Sequence, residues 1–479
     1  MENIVDFLNG IIWSNAMIIL ALGSGLYYSL RGRFLQLRHI KEMARLLLVR
    51  GKVDKGVSSF QALALSVAGR VGTGNIAGVA TAIALGGPGS IFWMWVIAFL
   101  GASTSFVECT LGQIYKEDDN GQYRGGPAYF IEKGIGIKWY ALAFAIATVF
   151  AFGLCTPGVQ ANAIAASLNN AFGITPMVTG SILVVGIALI IFGGVKRISR
   201  VAEIVVPFMA IAYILIALLV IAMNITKLPS IIALIVKSAF AAESAFAGMV
   251  GSAIAWGVRR GIYSNESGMG SAVQAAAAAE VSHPAKQGLV QAFSVYIDTL
   301  FVCSATAFMI LITGMYNVEN PAGGFIVNNL PGIEIGPVYT QKAMESVFSS
   351  FGGAFVAISL LFFAFTTILG NYYAAETNMA YINKKIGQKW LITVLRIATL
   401  IAVFTGAFRT AKLAWAIGDV GVGAMTWLTL IAIMILSNIA FKVLKDYEEQ
   451  KAAGKDPKFD PKKLDIKNAD IWIEEKEDA

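Results

Sequence analysis

Eleven apolar runs, each long enough to cross a bilayer, constrain this chain more than any other feature. They fall at approximately 11–30, 57–86, 89–115, 137–168, 177–194, 201–223, 239–263, 288–314, 352–382, 390–408 and 413–441. A helix crossing hydrocarbon needs about 20 mostly apolar residues. Lipid offers no partner to a bare N–H or C=O, so such a run closes its own hydrogen bonds as an α-helix. Charged residues make up 14% of the chain, against roughly 25% in soluble domains. The expected class is an all-α polytopic membrane protein with 11 spans. The first run follows Glu2 and Asp6 rather than a basic segment, and its apolar core is too long for a secretion signal, so it reads as a retained helix.

Between the first two runs lie Arg31, Arg33, Arg38, Lys41, Arg45, Arg50, Lys52 and Lys55 against Glu42 and Asp54. Basic loops stay in the cytoplasm, so this one is expected inside. Alternation then places Lys196, Arg197 and Arg200 inside, followed by Arg259, Arg260 and Lys286 and by Lys384, Lys385 and Lys389; 169–176 and 315–341 carry no basic residue. The reading is a plasma-membrane protein with its N-terminus outside and its C-terminus in the cytoplasm. A net charge of +7 would also suit a polyanion, but the 442–479 tail has more acids than lysines and the excess sits in inside loops. Topology explains it without nucleic acid. The tail, with Pro457 and Pro461, reads as a solvated cytoplasmic extension in which Trp472 rests on the protein or the membrane. Cys109, Cys155 and Cys303 all fall inside apolar runs, which suits packing rather than disulfides.

A six-residue pattern occurs twice, as Ala68-Gly69-x-Val71-Gly72-Thr73 and Ala247-Gly248-x-Val250-Gly251-Ser252, each inside an apolar run. Paired glycines beside a hydroxyl let a membrane helix unwind, and two such breaks in two halves of a chain mark the central site of a secondary transporter. With the first helix set aside, ten runs divide into two groups of five, with the pattern in the first run of each. Five is odd, so the second group enters from the opposite side and the topology is inverted. The division expected is 1–56 for the N-terminal helix and basic loop, 57–230 and 231–441 for the two repeats, and 442–479 for the tail. Within the second repeat, 315–350 is rich in Pro and Gly and reads as an external loop, either a cover over the mouth or a passive connector.

Enzyme chemistry finds little purchase. Gly72-Thr73-Gly74-Asn75-Ile76-Ala77 matches a dinucleotide fingerprint by letter, but about twenty residues on, where an acid belongs, stands Phe92-Trp93-Met94-Trp95. His39 and His283 are the whole histidine complement and lie in loops. A broken helix instead offers N–H groups near Thr73 and Gly74 to a carboxylate, carbonyls at Ala68 and Val71 to sodium, and, at the partner break from Gly248 to Ser252, carbonyls to an ammonium group. The same glycines also suit close helix packing. Thr366 and Thr367 are hard-cation candidates or hydroxyls bonded to their own helix. Gln160 and Asn162 face a ligand or another helix. Arg70, Glu108, Glu243, Asp298 and Glu376 are ionisable and costly in lipid. Arg70 is expected to pair with Glu108 or Asp298, and Glu243 or Asp298 would serve a proton-coupled variant.

The runs Gly72-Thr73-Gly74-Asn75-Ile76-Ala77-Gly78, Gly86-Gly87-Pro88-Gly89-Ser90-Ile91-Phe92-Trp93, Gly125-Gly126-Pro127-Ala128-Tyr129 and Arg259-Arg260-Gly261-Ile262-Tyr263-Ser264-Asn265-Glu266-Ser267-Gly268-Met269-Gly270-Ser271 closely resemble the sodium:alanine symporter family over nearly the whole chain. The resemblance implies a five-plus-five inverted-repeat, LeuT-type fold with one extra N-terminal helix. It implies no enzyme, but sodium-coupled import of a small neutral amino acid, alanine or glycine. It further implies sodium ligation by the carbonyls of Ala68, Val71 and Phe363 and the hydroxyls of Thr366 and Thr367. Amino-acid contacts are implied at Thr73, Gly74, Asn75, Gln160 and the break near Gly251, with Ser252 beside it. Where members resembling dedicated alanine carriers have tryptophan after the mid-span glycine, this chain has Asn371, which makes glutamine a competing substrate. Cys155-Thr156-Pro157 is unusual on the same pocket-facing helix. No obligate protein partner is inferred.

Overall fold

The computed structural model describes residues 2–47, 55–119, 121–241, 244–388 and 390–473. Helices dominate, and two short hairpins, Glu117–Asp118 with Tyr123–Arg124 and Asn317–Glu319 with Phe325–Asn328, are the only paired strands among these residues. Among the described residues, seven helical stretches are long and apolar enough to cross a membrane: Asn3–Arg31, Gly89–Ile114, Lys138–Phe172, Lys196–Met223, Pro284–Thr313, Ser350–Lys384 and Ala411–Ala452. Gly74–Gly86, Pro176–Ile191 and Trp390–Gly406 are shorter apolar helices. Large apolar side chains such as Phe208, Leu189 and Ile204 point outward from them, as lipid-facing residues do.

Local chemistry explains the irregular points. The Ser59–Arg70 helix starts at a capping box, in which the Ser58 hydroxyl accepts from the Gln61 N–H and the Gln61 side chain accepts from the Ser58 N–H. That helix stops at Val71, and a π-helical turn, Gly74–Gly78, leads into Val79–Gly86. Another π turn, Ala151–Cys155, precedes Thr156–Phe172. Pro157 is the reason: its ring crowds the carbonyl of the preceding turn and it has no N–H to give.

The run expected at 239–263 is differently organised. Leu228–Ala239 ends before it, and the next long helix is Val250–Asn265, followed by a non-helical stretch at 266–271 and then Ala272–Ala277. This segment runs alongside Gly89–Ile114. A Cβ on Gly257 would meet the Ser90 carbonyl at 2.5 Å, and one on Gly112 would meet Val273 at 2.2 Å. The two helices touch backbone to backbone through small residues. Arg259 and Arg260 are therefore not loop residues. They sit within the Val250–Asn265 helix, Arg260 lies beside Gly78, and both bond Asp419, at 2.6 Å and 2.9 Å. Burial without a counter-charge is prohibitive, and Asp419 supplies it.

The 315–350 segment is structured. Val318, Leu330, Tyr339 and Ala343 are buried with Val79 and Ile83, so the hairpin and the Pro337–Phe348 helix cover the part of the broken helix beyond the break. The tail is also not a free extension. Ala411–Ala452 continues past the apolar run, and the chain then folds back so that Phe459 and Trp472 are buried. Trp472 Nε1 donates to the Gln113 carbonyl at 3.0 Å, Lys133 pairs with Asp470, and Lys286 with Asp456. His283 is buried against Asp446 and Phe459, and burial pushes its imidazole down to about 4, so it is neutral at pH 7.

Candidate functional site

Both discontinuities meet in the protein's interior. Residues beside the first, Gly72 and Gly74, and from the second, Glu266 and Met269, line a cavity of about 10 Å³, room for one water molecule, together with the Thr156–Phe172 and Ser350–Ile386 helices. Its walls include Gly72, Gly74, Gln160, Glu266, Thr367 and Asn371. A second cavity of about 10 Å³ adjoins it, and Gly69, Phe152, Glu266 and Asn371 line both.

Thr367 is the geometric centre of one cluster. Its Oγ1 lies 2.9 Å from the Ala68 carbonyl oxygen, 3.3 Å from that of Val71 and 3.0 Å from that of Phe363. A hydroxyl has a single proton, so three carbonyl oxygens converge on one donor. Oxygens gathered at this density suit a hard monovalent cation better than they suit one another. Thr366 stands next to this cluster rather than at its centre. Its hydroxyl bonds back to the Phe362 and Phe363 carbonyls, sharing the latter with Thr367.

The freed N–H groups lie one residue further on. Thr73 N and Thr73 Oγ1 both donate to Gln160 Oε1, at 3.0 and 2.6 Å, and Gly72 N donates to Asn75 Oδ1 at 2.8 Å. Gln160 thus occupies the position that the N–H groups offer to an anion. Asn75 does not line the cavity. Its Nδ2 turns away to Asp298 Oδ1 at 2.6 Å, and Ser264 and Thr299 complete the donors to that carboxylate. Asn75 braces the break from behind.

Arg70 lies at the cavity edge but makes no ion pair with Glu108 or Asp298. It donates to the Gln291 carbonyl at 3.1 Å, to Ser105 at 3.0 Å and to Ser294. Glu108 instead accepts from Gly270 N at 3.2 Å, serving the second break. Asn162 bonds the Arg409 carbonyl at 2.6 Å, an interhelical role. Glu376 lies 3.9 Å from Arg124. Glu243 is outside the described residues. Gly251 and Ser252 are not brought to the cavity: they begin the Val250–Asn265 helix, Gly251 is exposed, and the Ser252 carbonyl packs near Gly86. The three cysteines are buried and unbridged.

The family model of the sodium:alanine symporters matches residues 1–461. The chain belongs to the sodium:alanine symporter family. A Bacillus subtilis (strain 168) protein provisionally named sodium/proton-dependent alanine carrier protein YrbD is 59% identical to this symporter-family chain, over 99% of it and 98% of the relative. Another from the same organism, provisionally named sodium/glutamine symporter GlnT, is 46% identical over 96% and 93%. Among solved structures, a substrate-bound, outward-open Na+-coupled sialic acid symporter superposes with a TM-score of 0.53 at 14% identity, covering 94% of this chain and 93% of that one. At such identity the likeness is one of fold. As a member of this family the protein is a multi-pass membrane transporter and not an enzyme.

Several wall residues of this family member were not singled out individually by sequence reasoning, although Thr156 was flagged within Cys155-Thr156-Pro157. Glu266, Tyr263 and Met269 come from the second break or the turn before it, and Phe152 and Thr156 from the π turn and its successor. Glu266 has a left-handed φ of 57° and accepts from the Ser271 hydroxyl at 2.8 Å. The signal was present in Gly268 and Gly270, a glycine pair flanked by Ser267 and Ser271. It was a stronger unwinding motif than Gly248 and Gly251.

Proposed function

We propose that the protein is a sodium-coupled symporter that imports alanine or glycine by alternating access. The observation that carries this reading is the adjacency of the two clusters: carbonyls of Ala68 and Val71 converge on Thr367, while the next N–H, at Gly72, and then Thr73 turn toward Asn75 and Gln160. One break in one helix therefore serves both solutes. Sodium is held by the Ala68, Val71 and Phe363 carbonyls and the Thr367 hydroxyl, with Thr366 supporting through the shared Phe363 carbonyl. The substrate carboxylate takes the N–H groups near Thr73 and Gly74 once Gln160 Oε1 yields them. The ammonium group faces Glu266 and the second break, in place of Gly251 and Ser252.

Coupling follows from sharing. With sodium bound, the Ala68 and Val71 carbonyls are fixed and the break is set open for the carboxylate; without it, each free carbonyl competes for the Thr367 proton. The inward step gains about 2.3 kcal/mol per positive charge per 100 mV of potential, in addition to the sodium gradient. The membrane arrangement is 11 crossings in a five-plus-five inverted repeat, with residues 57–230 and 231–441 as the two units, the N-terminus outside and the tail inside. Basic residues at 31–47 support that orientation; Arg259 and Arg260, being helix-borne partners of Asp419, no longer count toward it. Uptake by reconstituted vesicles tests the reading: alanine accumulation should follow an imposed sodium gradient, and accumulation indifferent to sodium defeats it.

Asp298 favours a second reading, in which protons replace or accompany sodium. Its carboxylate is fully buried, between both broken helices, and its partners are the neutral groups of Asn75, Ser264 and Thr299. In that case Asp298→Asn abolishes the pH dependence of uptake while Thr367→Ala leaves accumulation intact.

A further inference from the structure

On the side of the molecule where the tail docks, the two broken segments are tied together at one junction. Val57 N, just before the Ser59–Arg70 helix, donates to the Ala278 carbonyl at 3.0 Å, and Glu280 N donates back to the Val57 carbonyl at 3.0 Å. The end of the Ala272–Ala277 helix is gripped from another side as well: Gln113 Nε2 donates to the Ala279 carbonyl at 2.9 Å and also to that of Ala276, and Lys116 Nζ donates to Ala279 at 2.9 Å. Ala275, on the same short helix, lines the second cavity and is buried. The junction thus lies between that cavity and the tail.

Trp472 fastens the junction from outside. Its Nε1 donates to the Gln113 carbonyl, and Lys116 Nζ lies 5.1 Å from its ring centroid, so one indole holds both residues that grip Ala279. The tail reaches this point from the Ala411–Ala452 helix, whose Val422 lines the first cavity. On the way Lys463 pairs with Asp446 at 2.8 Å, Phe459 N donates to the Ser282 carbonyl at 2.9 Å and Asn468 Nδ2 donates to the Lys133 carbonyl at 2.8 Å. Parting the junction from the Ala411–Ala452 helix therefore pulls on Trp472. The acids that help, Asp456 and Asp470, are mostly exposed, where ion pairs are weak. The buried indole carries the hold.

We propose that the tail is a strap, with Trp472 as its catch, that keeps the tail-side mouth of the transport path closed and sets how often that mouth opens. The proposal rests on the symporter reading, in which this mouth is the cytoplasmic exit. Releasing the catch gives up one hydrogen bond and one cation–π contact, so removing the indole should shift the closed–open balance about tenfold toward open.

The test uses the full chain in inside-out membrane vesicles, with Ala275→Cys as the reporter and a membrane-impermeant maleimide as the probe. Trp472→Ala should speed labelling at position 275 about tenfold. Trp472→Phe keeps a ring and loses only the N–H, so it should speed labelling about threefold; it also serves if Trp472→Ala is poorly produced. Cys303, held against Asn75 and Ser264 behind the first break, is the control, and its labelling should stay at the parent rate. Labelling at position 275 that is unchanged, or that rises only together with Cys303, overturns the strap. Labelling does not depend on which solute is carried. Unchanged labelling beside sodium-driven alanine uptake therefore defeats the strap alone, whereas absence of that uptake defeats the symporter reading and leaves faster labelling as evidence of the strap.

Discussion

The two helix breaks solve the same problem by different means. At the first, none of Val71, Gly72 and Thr73 has positive φ, and the loss of helical hydrogen bonds is made good by side chains from elsewhere: Gln160, Asn75 and Thr367. At the second, the backbone itself is wound the other way, with Glu266, Gly268 and Gly270 at φ of 57°, 78° and 83°. Side chains add to this winding, Asn265 from within the turn to Ser267 N, and from other helices Glu108 to Gly270 N and Thr429 to the Met269 carbonyl. The first break is held by groups that also suit ligands, so it is free to exchange partners. The second is held by its own conformation, which makes it a rigid wall.

That contrast orders the mutational consequences. Gly270→Ala should be the most damaging, because a Cβ there meets Pro127 at 2.5 Å and Thr429 at 2.6 Å on a left-handed backbone. A loss of about 3 kcal/mol or more is expected, read as a collapse in the yield of monodisperse protein in detergent. If the protein survives this change at full yield, the second break is not rigid. Next comes Gly72→Ala, where the backbone tolerates a side chain but the Cβ would lie 2.3 Å from Thr367 Oγ1. Its yield should stay within twofold while the sodium concentration for half-maximal uptake rises about tenfold or more, a cost of about 1.4 kcal/mol. An unchanged sodium dependence would separate Thr367 from the cation. Smallest is Gly251→Ala, with nothing within 4 Å of the added methyl; stability and transport should both stay within about 0.5 kcal/mol of the parent. A large transport defect would restore that segment to the site.

The helices were legible because lipid makes the pattern coarse: a run of apolar residues has one way to satisfy its backbone. The first break was legible for a related reason, since Gly72 and Thr73 are out of place in such a run. The second was misplaced because letters were matched to letters. Gly248 and Gly251 repeat the spelling of the first break, but Gly251 stands at a helix start, while Gly268 and Gly270 carry the left-handed turns without spelling anything similar. Arg70 failed for a different reason: a buried guanidinium calls for acceptors, and Ser105, Ser294 and the Gln291 carbonyl, which provide them, are common residues with no pairing signal. Asn75 was placed on the substrate because it follows the break, yet a turn of helix carries its amide to Asp298. Spacing along the chain did not reveal that rotation.

The docked tail has a consequence for how the molecule assembles. Trp472 reaches the carbonyl of Gln113 across 359 positions of sequence, and its ring shares the Lys116 ammonium with Tyr123. Contacts that distant bear the full loop-closure entropy before they return anything. The end of the Gly89–Ile114 helix, with its outgoing carbonyls, therefore remains uncovered while the intervening helices find one another. Trp472 is thus expected to close the molecule late, and in a variant keeping it as the sole one of the nine tryptophans its fluorescence would time that closure.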